Sequence, residues 1–215
     1  MLVGALVFTR SAAAQTISLV PADTPRWDVG GTVGWLGRTE RSAVGTFRDG
    51  TWLNAGSFGA SLAYHWNPHL IVEGEVATSS SASFYSLESV AVSGRSTPTF
   101  LSREHHVKTT GGSASIVYQF FENRWVHPFL TAGVESVRNR DRIETFAPLP
   151  TPAAPFSVPT IASETKTADA VRPLFGGGFK FYVTERAFIR TDVRFAFDGP
   201  GLASTTWRSG IGVDF

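Results

Sequence analysis

The chain contains no cysteine and no long hydrophobic run, and each absence excludes a class of protein. Without Cys in its 215 residues, it has no disulfide framework, no thiolate metal site and no cysteine nucleophile. No stretch approaches the roughly 18 to 20 apolar residues that a membrane-spanning helix needs, so a helical inner-membrane architecture is excluded. The net charge is +1 with both signs interspersed, so the sequence offers no basic surface for nucleic acid.

Charged residues are scarce, whereas aromatic residues and glycine are abundant. Charged residues make up 17% of the chain, against roughly 25% in soluble domains. The sequence has 17 Phe, 6 Trp and 21 Gly, and 42% of its residues are hydrophobic. This balance is unusual for a protein whose whole surface must stay in water.

The segment 205–215 alternates between two kinds of side chain. A β-strand sends successive side chains to opposite faces, so one face of this segment is mainly apolar and the other is polar and partly charged. The segment ends on an aromatic residue, as expected for a strand whose apolar face meets lipid. The residues of the apolar face are Thr205, Trp207, Ser209, Ile211, Val213 and Phe215.

The same alternation predicts seven further strands. The clearest of them contains Arg190, Asp192 and Arg194. These charges alternate with β-branched and aromatic residues, so they cannot share one face of a helix. The eight predicted strands are Arg26–Leu36, Trp52–Trp66, Leu70–Thr78, Lys108–Phe121, His127–Val137, Val171–Val183, Ala187–Phe197 and Thr205–Phe215.

Short and long connections alternate along the chain. Three of the predicted connections are turns of a few residues, whereas 37–51, 79–107 and 138–170 are long, polar or proline-rich segments. This alternation is typical of an up-and-down barrel with tight turns at one end and long loops at the other. Part of 79–107 itself alternates, so we expect it to extend the adjacent strands beyond the membrane.

The first residues are typical of an exported protein. An apolar run, Met1–Phe8, is followed by the small residues Ala12–Ala14, as at a signal-peptidase cleavage site. We therefore expect 1–14 to be a signal peptide, 15–25 a periplasmic N-terminal segment, and 26–215 the barrel domain.

The strands, the alternating loops and the terminal aromatic residue together resemble the eight-stranded outer-membrane barrels of the OmpA transmembrane-domain and OmpX type. The resemblance covers about Arg26 to Phe215. It implies an all-β fold, an eight-stranded antiparallel up-and-down transmembrane β-barrel in the outer membrane of a Gram-negative bacterium. It also implies outer-membrane lipid, the barrel assembly machinery and periplasmic chaperones as partners. The assembly signal that it implies comprises Ile211, Val213 and Phe215.

The apolar face of each strand is expected to meet lipid rather than to line a soluble cup. An eight-stranded interior has little room for so many rings, and the opposite face is rich in Gly, Ser and Thr with few charges. Large aromatic residues also fall near the strand ends, where two girdles at the lipid–water boundaries are expected. The predicted girdle residues are Trp27, Trp35, Trp52, Tyr64, Trp66, Tyr118, Phe120, Phe181, Phe197 and Trp207.

The other face would then enclose a nearly balanced set of charges. Buried charges must pair, because an unpaired buried ion costs several kcal/mol. Glu135 with Arg172, and Asp192 with Arg208, are the candidate pairs on neighbouring strands. We favour a static plug of ion pairs over a gate that exchanges partners, because a gate needs two stable arrangements. The predicted lumen network comprises Asp28, Glu73, Glu75, Glu135, Arg172, Lys180, Arg190, Asp192, Arg194, Arg208 and Asp214.

No catalytic residue, cofactor or metal site is predicted. His105 and His106 lie near Ser102 and Glu104, but adjacent strand residues point to opposite faces, and solvated loop histidines are the preferred interpretation. The spacing of His and carboxylate residues fits no metal site. The glycines 176–178 lie within a predicted strand and lack the Lys-Ser/Thr ending of a phosphate-binding loop.

These observations predict a non-enzymatic scaffold that displays surface loops and serves envelope integrity, adhesion or surface recognition. A narrow channel for ions or small solutes is the alternative, and a lipid-modifying enzyme is less favoured. The proline-rich segment 147–160 resists helix formation and strand pairing. It could be an arm that binds an unidentified surface ligand or a protease-resistant cap, and the sequence favours neither.

Overall fold

The computed structural model describes residues 26–40, 51–90, 99–121, 125–146 and 160–215, and these ranges contain nine β-strands. These ranges contain no helix that is long and apolar enough to cross a bilayer. The predicted signal peptide and N-terminal segment, 1–25, lie outside the described residues. The strands are β1 Trp27–Glu40, β2 Thr51–His65, β3 Leu70–Ser79, β4 Ala82–Val90, β5 Thr99–Gln119, β6 Val126–Phe146, β7 Thr160–Tyr182, β8 Ala187–Asp198 and β9 Gly201–Asp214.

The strands form one antiparallel sheet that closes on itself. Hydrogen bonding follows the order β3-β2-β1-β9-β8-β7-β6-β5-β4, and a further pairing of β3 with β5 completes the ring. Both β3 and β4 pair with β5, at 110–118 and 99–107 respectively. They are therefore successive segments of one barrel position, and the ring has eight positions. The expected eight-stranded up-and-down β-barrel is confirmed.

Three strands are much longer than the sequence predicted. β5 and β6 each have 21 residues and β7 has 23, whereas a strand that crosses a membrane needs about 9 to 11. The segments 79–107 and 138–170 were expected to be mainly loop, and that prediction was wrong. The run Arg138–Asp141 shows no apolar alternation, because both faces of a strand beyond the membrane meet polar surroundings. The expected extension of the strands on either side of 79–107 is confirmed.

The barrel has two distinct ends, which we call the turn end and the loop end. At the turn end, the Asn67 side chain accepts hydrogen bonds from the backbone N–H groups of His69 (2.9 Å) and Leu70 (2.8 Å). The Thr184 hydroxyl accepts one from the backbone N–H of Ala187 at 2.9 Å. Such local bonds favour tight turns. The connecting segments 41–50, 91–98 and 147–159 at the loop end lie outside the described residues.

Apolar side chains face outward and charged side chains face inward. Val33, on the apolar face of β1, is 59% exposed, whereas Asp192, on the charged face of β8, is 3% exposed. This is the reverse of a soluble domain and is expected where the outer surface meets hydrocarbon. The outward apolar residues include Val29, Phe58, Leu62, Val72, Val76, Ile116, Leu130, Val134, Phe175, Phe179, Ile189 and Val213.

Beyond this apolar belt, the barrel wall continues on one side. Thr78, Thr110, Arg138 and Asp169 are cross-strand neighbours in turn and mark the boundary. We call the wall beyond them, 82–90, 99–110, 138–146 and 160–169, the loop-end extension. Its outer face is mainly polar, although Tyr85 and Leu87 are exposed there, and its inner face meets a small apolar cluster at its base. The cluster contains Leu53, Ala82 and Val107, with Ala55 and Phe84 packed against it.

Candidate functional site

Six charged side chains fill the middle of the lumen, and we call them the lumen plug. They are Glu73 and Glu75 on β3, Arg190, Asp192 and Arg194 on β8, and Arg208 on β9. Three carboxylates therefore face three guanidinium groups. All are buried or half-buried, so each charge depends on the others for its compensation.

The contacts of Glu73 cross the full width of the barrel. β3 and β8 are four positions apart in the ring of eight, so they lie on opposite walls. Glu73 pairs with Arg190, and an Arg194 nitrogen lies 2.6 Å from its Oε1 atom. Side chains that meet across the diameter fill much of the cross-section, since an eight-stranded lumen is only about as wide as its own side chains.

The remaining contacts of the plug link β8 to β9 and both of these strands to β3. Asp192 and Arg208 are cross-strand neighbours, with Nε–Oδ1 at 2.6 Å and a second N–O contact at 2.9 Å. Arg208 also pairs with Glu75, which lies 3.0 Å from Arg194. The two hydrogen bonds between Asp192 and Arg208 hold the plane of the Arg208 guanidinium in place. The structure thus contains the Asp192–Arg208 pair, inside a larger cluster.

Glycines on the neighbouring strands make room for the plug. Gly34, Gly176 and Gly178 are the cross-strand neighbours of Arg208, Arg194 and Asp192 respectively. A Cβ atom on Gly178 would lie 2.0 Å from the Thr191 carbonyl oxygen and 2.6 Å from Asp192 Cβ. Any side chain at Gly178 would therefore displace part of the plug.

A second charged group lies nearer the turn end. The Lys180 ammonium donates to Asp28 and to Asp214, each at 3.0 Å. His65 Nε2 lies 3.1 Å from Asp28 Oδ2, and the Tyr182 hydroxyl donates to Asp214. Ligand atoms of Asp28, His65 and Asp214 approach within 4.8 Å of one another. Lys180 already supplies the positive charge between the carboxylates of Asp28 and Asp214. We therefore interpret this group as an ion-pair cluster rather than a metal site.

Glu135 and Arg172 do not behave as the sequence predicted. They are cross-strand neighbours, but no ion pair within 4.0 Å joins them in the described part of the chain. The Arg172 Nε atom is buried without a hydrogen-bond partner. Both line a cavity of about 80 Å³ on the loop-end side of the plug, where space separates side chains that a tighter lumen would press together.

Arg38 is a lumen residue that the sequence did not predict. It extends from β1 across the barrel and donates to Thr109 Oγ1 at 3.0 Å and to Asn139 Oδ1 at 2.5 Å. β6, which carries Asn139, is opposite β1 in the ring. Its segment lacks strong alternation, so periodicity predicts a long loop there, and only the strand pairing shows that Arg38 faces inward.

The predicted girdle residues whose side chains are described are at least partly exposed on the outward face. At the turn end, Trp27 packs on Tyr64 with ring centroids 4.9 Å apart, and Tyr118 contacts Phe120 at 5.0 Å. The side chain of Trp52 lies outside the described residues. The other predicted girdle residues with at least partly exposed side chains are Trp35, Trp66, Phe181, Phe197 and Trp207.

The residues proposed for the assembly signal also face outward. Ile211, Val213 and Phe215 are exposed on one face of the last strand and the residue that follows it. Their role in assembly stays a prediction.

The loop-end extension holds a polar cluster that the sequence missed. The ring of His105, on β5, lies between Ser86 of β4 and Asp141 of β6. Its Nε2 atom is 2.9 Å from Ser86 Oγ, and its Nδ1 atom is 2.8 Å from Asp141 Oδ2. The prediction of a solvated loop histidine was wrong for His105, since both partners come from neighbouring strands. His106 points to the opposite face, as expected for the next residue of a strand.

The whole sequence matches one protein family. A model of the outer membrane protein beta-barrel domain family matches residues 1–215. No protein with a curated description matches the chain.

Solved structures of outer-membrane proteins are similar to this chain. Neisserial surface protein A is 15% identical with a TM-score of 0.55, over 88% of this chain and 97% of that chain. The attachment invasion locus protein of Yersinia pestis is 13% identical with a TM-score of 0.50, over 88% of this chain and 99% of that one. At such identities the likeness is one of fold.

Proposed function

Because the chain belongs to the outer membrane protein beta-barrel domain family, we propose that its membrane-spanning part is a closed, non-enzymatic scaffold. The protein is located in the bacterial outer membrane. In such barrels short turns face the periplasm and long connections face outside. The scaffold would therefore hold the loop-end extension and its connecting loops above the outer leaflet.

The observation that carries this proposal is the set of ion pairs across the lumen. Glu73 pairs with Arg190 from the opposite wall, and Arg208 pairs with Glu75. Moving either partner aside would leave buried charge unpaired at a cost of several kcal/mol. This cost supports a static filling that keeps the wall in shape.

Conductance of the purified, full-length protein in a planar lipid bilayer tests the scaffold directly. We expect no discrete current steps in the wild-type protein at moderate voltage. Reproducible single-channel steps would instead support the narrow channel. The cavity beside Glu135 and Arg172 favours that second function, because it would form the vestibule of such a pore.

The partners of the scaffold follow from its surface chemistry and its family. Outer-membrane lipid would cover the outward belt, and the assembly machinery with its periplasmic chaperones would act during insertion. A surface ligand would be bound through the connecting segments 41–50, 91–98 and 147–159. Deleting each loop in turn and measuring adhesion of expressing cells, with barrel insertion as the control, would show which loop binds.

A further inference from the structure

We propose that Ser86, His105 and Asp141 form a serine-hydrolase site in the loop-end extension, which cleaves carboxylic esters with an apolar acyl group. The site is separate from the lumen plug and does not depend on whether the lumen conducts. It rests on atomic geometry, on the neighbouring side chains and on its position outside the lipid belt.

The three side chains form a continuous hydrogen-bonded chain. Ser86 Oγ lies 2.9 Å from His105 Nε2, and His105 Nδ1 lies 2.8 Å from Asp141 Oδ2. Both distances fall within the range of a nucleophile, its general base and the group that orients the base. Since the carboxylate can only accept, Nδ1 carries the proton and donates it to Asp141. The lone pair of Nε2 is then available for the Ser86 hydroxyl proton.

Rigid elements hold the three residues on one inward face. β4, β5 and β6 are hydrogen-bonded neighbours, so no flexible loop carries any member of the site. Phe84 is the cross-strand neighbour of His105, and its ring stacks on the imidazole with centroids 4.4 Å apart and an interplanar angle of 11°. This stacking fixes the ring plane, and a pre-oriented base is what such catalysis requires.

A charged donor lies beside the proposed nucleophile. Arg103 is the cross-strand neighbour of Ser86. One end of its guanidinium pairs with Glu88, while its Nε atom is buried without a hydrogen-bond partner. A donor held next to the reacting carbon stabilises the negative charge that develops on the carbonyl oxygen. We assign that role to the Arg103 guanidinium, which lies on the same inward face as Ser86.

The surroundings indicate the class of substrate. Ser86 is half-buried, and the side chains of His105 and Asp141 are 14% and 26% exposed, so a small molecule can approach from the loop end. The half-buried ring of Phe84, stacked on His105, provides apolar contact for an acyl group beside the nucleophile. An ester with a short apolar acyl group fits a site that is partly exposed to solvent and has an apolar contact beside the nucleophile.

The chemistry needs water and no other co-reactant. Ser86 Oγ attacks the ester carbonyl carbon, a C–O bond forms, and the hydroxyl proton passes to His105 Nε2. Collapse of the tetrahedral intermediate breaks the bond to the leaving alcohol, which takes the proton from His105. Water then gives a proton to His105 and attacks the acyl carbon. Release of the carboxylic acid returns the proton to Ser86.

Labelling of the full-length protein in detergent micelles with a fluorophosphonate tests the nucleophile. We expect one adduct, located on Ser86 by peptide mass spectrometry of the wild-type protein, which requires no variant to fold. Hydrolysis of p-nitrophenyl butyrate should accompany the labelling. A folded wild-type protein without an adduct at Ser86 would overturn the proposal.

Matched variants separate the site from the rest of the wall. Ser86→Ala and His105→Gln should reduce hydrolysis to the buffer rate. Ser83→Ala and His106→Gln lie on the same strands but on the outward face, and they should hydrolyse as the wild type does. The heat-dependent shift in gel mobility shows whether each variant has folded. Equal hydrolysis by folded Ser86→Ala and Ser83→Ala would contradict the assignment.

Asp141 is a positioning residue, because it acts through His105. Asp141→Asn should slow labelling of Ser86 on the order of 10⁴-fold, because the amide favours the wrong imidazole tautomer. Asp141→Glu keeps the carboxylate and should restore part of the rate in a protein of unchanged gel mobility. Equal labelling rates for Asp141→Asn and Asp141→Glu would overturn this role.

Discussion

At the scale of a residue, substitution of Glu73 is a sensitive test of the lumen plug, because Glu73 pairs with more than one partner. It pairs with Arg190 and Arg194 and lies 4.0 Å from Arg208. Glu73→Ala would leave three guanidinium groups facing two carboxylates, and we expect a loss of about 3 to 5 kcal/mol in the free energy of unfolding. Urea unfolding of protein folded into lipid vesicles measures it.

Glu135→Ala is the control for this change. Glu135 faces the same lumen but forms no ion pair within 4.0 Å in the described part of the chain, so its removal should cost much less. Equal losses from Glu73→Ala and Glu135→Ala would contradict the plug as a source of stability.

The exposed pair of Arg138 and Asp169 gives a prediction about pH. Arg138 Nε donates to Asp169 Oδ1 at 2.8 Å, and a second nitrogen donates to Oδ2 at 3.1 Å. These hydrogen bonds hold the pKa of Asp169 below its ordinary value. The resulting stabilisation is therefore present above the pKa of the unfolded chain and is lost as pH falls through the lower folded value.

Carbon-13 NMR of the Asp169 carboxyl group tests this prediction. Arg138→Gln should raise the pKa of Asp169 towards its ordinary value, because the charged donor is gone. Arg140→Gln lies two residues along the same exposed face and serves as the control. An unchanged Asp169 titration in Arg138→Gln would show that the pair does not form in solution.

At the scale of an element, β7 passes from lipid to water along one face. Phe175 lies in the outward apolar belt, and Thr167 lies on the same face in the loop-end extension. Phe175→Arg should therefore reduce membrane assembly, because an arginine near the bilayer midplane costs about 2 to 4 kcal/mol. Thr167→Arg places the same charge beyond the belt and should assemble normally. Heat-dependent gel mobility of membrane fractions measures both, and equal assembly would contradict the assigned faces.

The change from lipid to water along a strand also explains which elements could be predicted from the sequence. β8 and β9 alternate clearly between apolar and polar residues, since one face meets lipid and the other meets the lumen. The outer halves of β5, β6 and β7 lack this contrast. Residues such as Arg140 and Asp141 are polar on both faces, so periodicity alone assigned their segments to loops.

The residues of the proposed hydrolase site could not be found from sequence for a related reason. Ser86, His105 and Asp141 are far apart in the chain and meet only because β4 pairs with β5 and β5 pairs with β6. In the sequence, the hydroxyl and the carboxylate nearest to His105 are those of Ser102 and Glu104. Pairing register, which a single sequence does not contain, decides which hydroxyl and which carboxylate reach the ring.

At the scale of the whole molecule, ring closure decides which lumen charges meet. Strand parity predicts that Glu73, Arg190 and Arg208 face inward. It cannot predict that β3 lies opposite β8, because this follows from the number of barrel positions and the stagger between strands. The expected pair of Glu135 and Arg172 failed for a different reason, since these cross-strand neighbours lie where the lumen holds a cavity.

The same geometry predicts what opening the lumen requires. Single changes in the plug leave unpaired charge, whereas Glu73→Ser together with Arg190→Ser removes one pair that crosses the diameter and keeps the lumen neutral. We expect this double variant to show small current steps in a planar bilayer, with stability closer to the wild type than Glu73→Ala. Thr167→Arg, far from the lumen, is the control and should remain silent. If the double variant shows no current steps, the lumen must be closed by the Lys180 cluster at the turn end. There, Asp28 and Asp214 hold the ammonium across the same lumen.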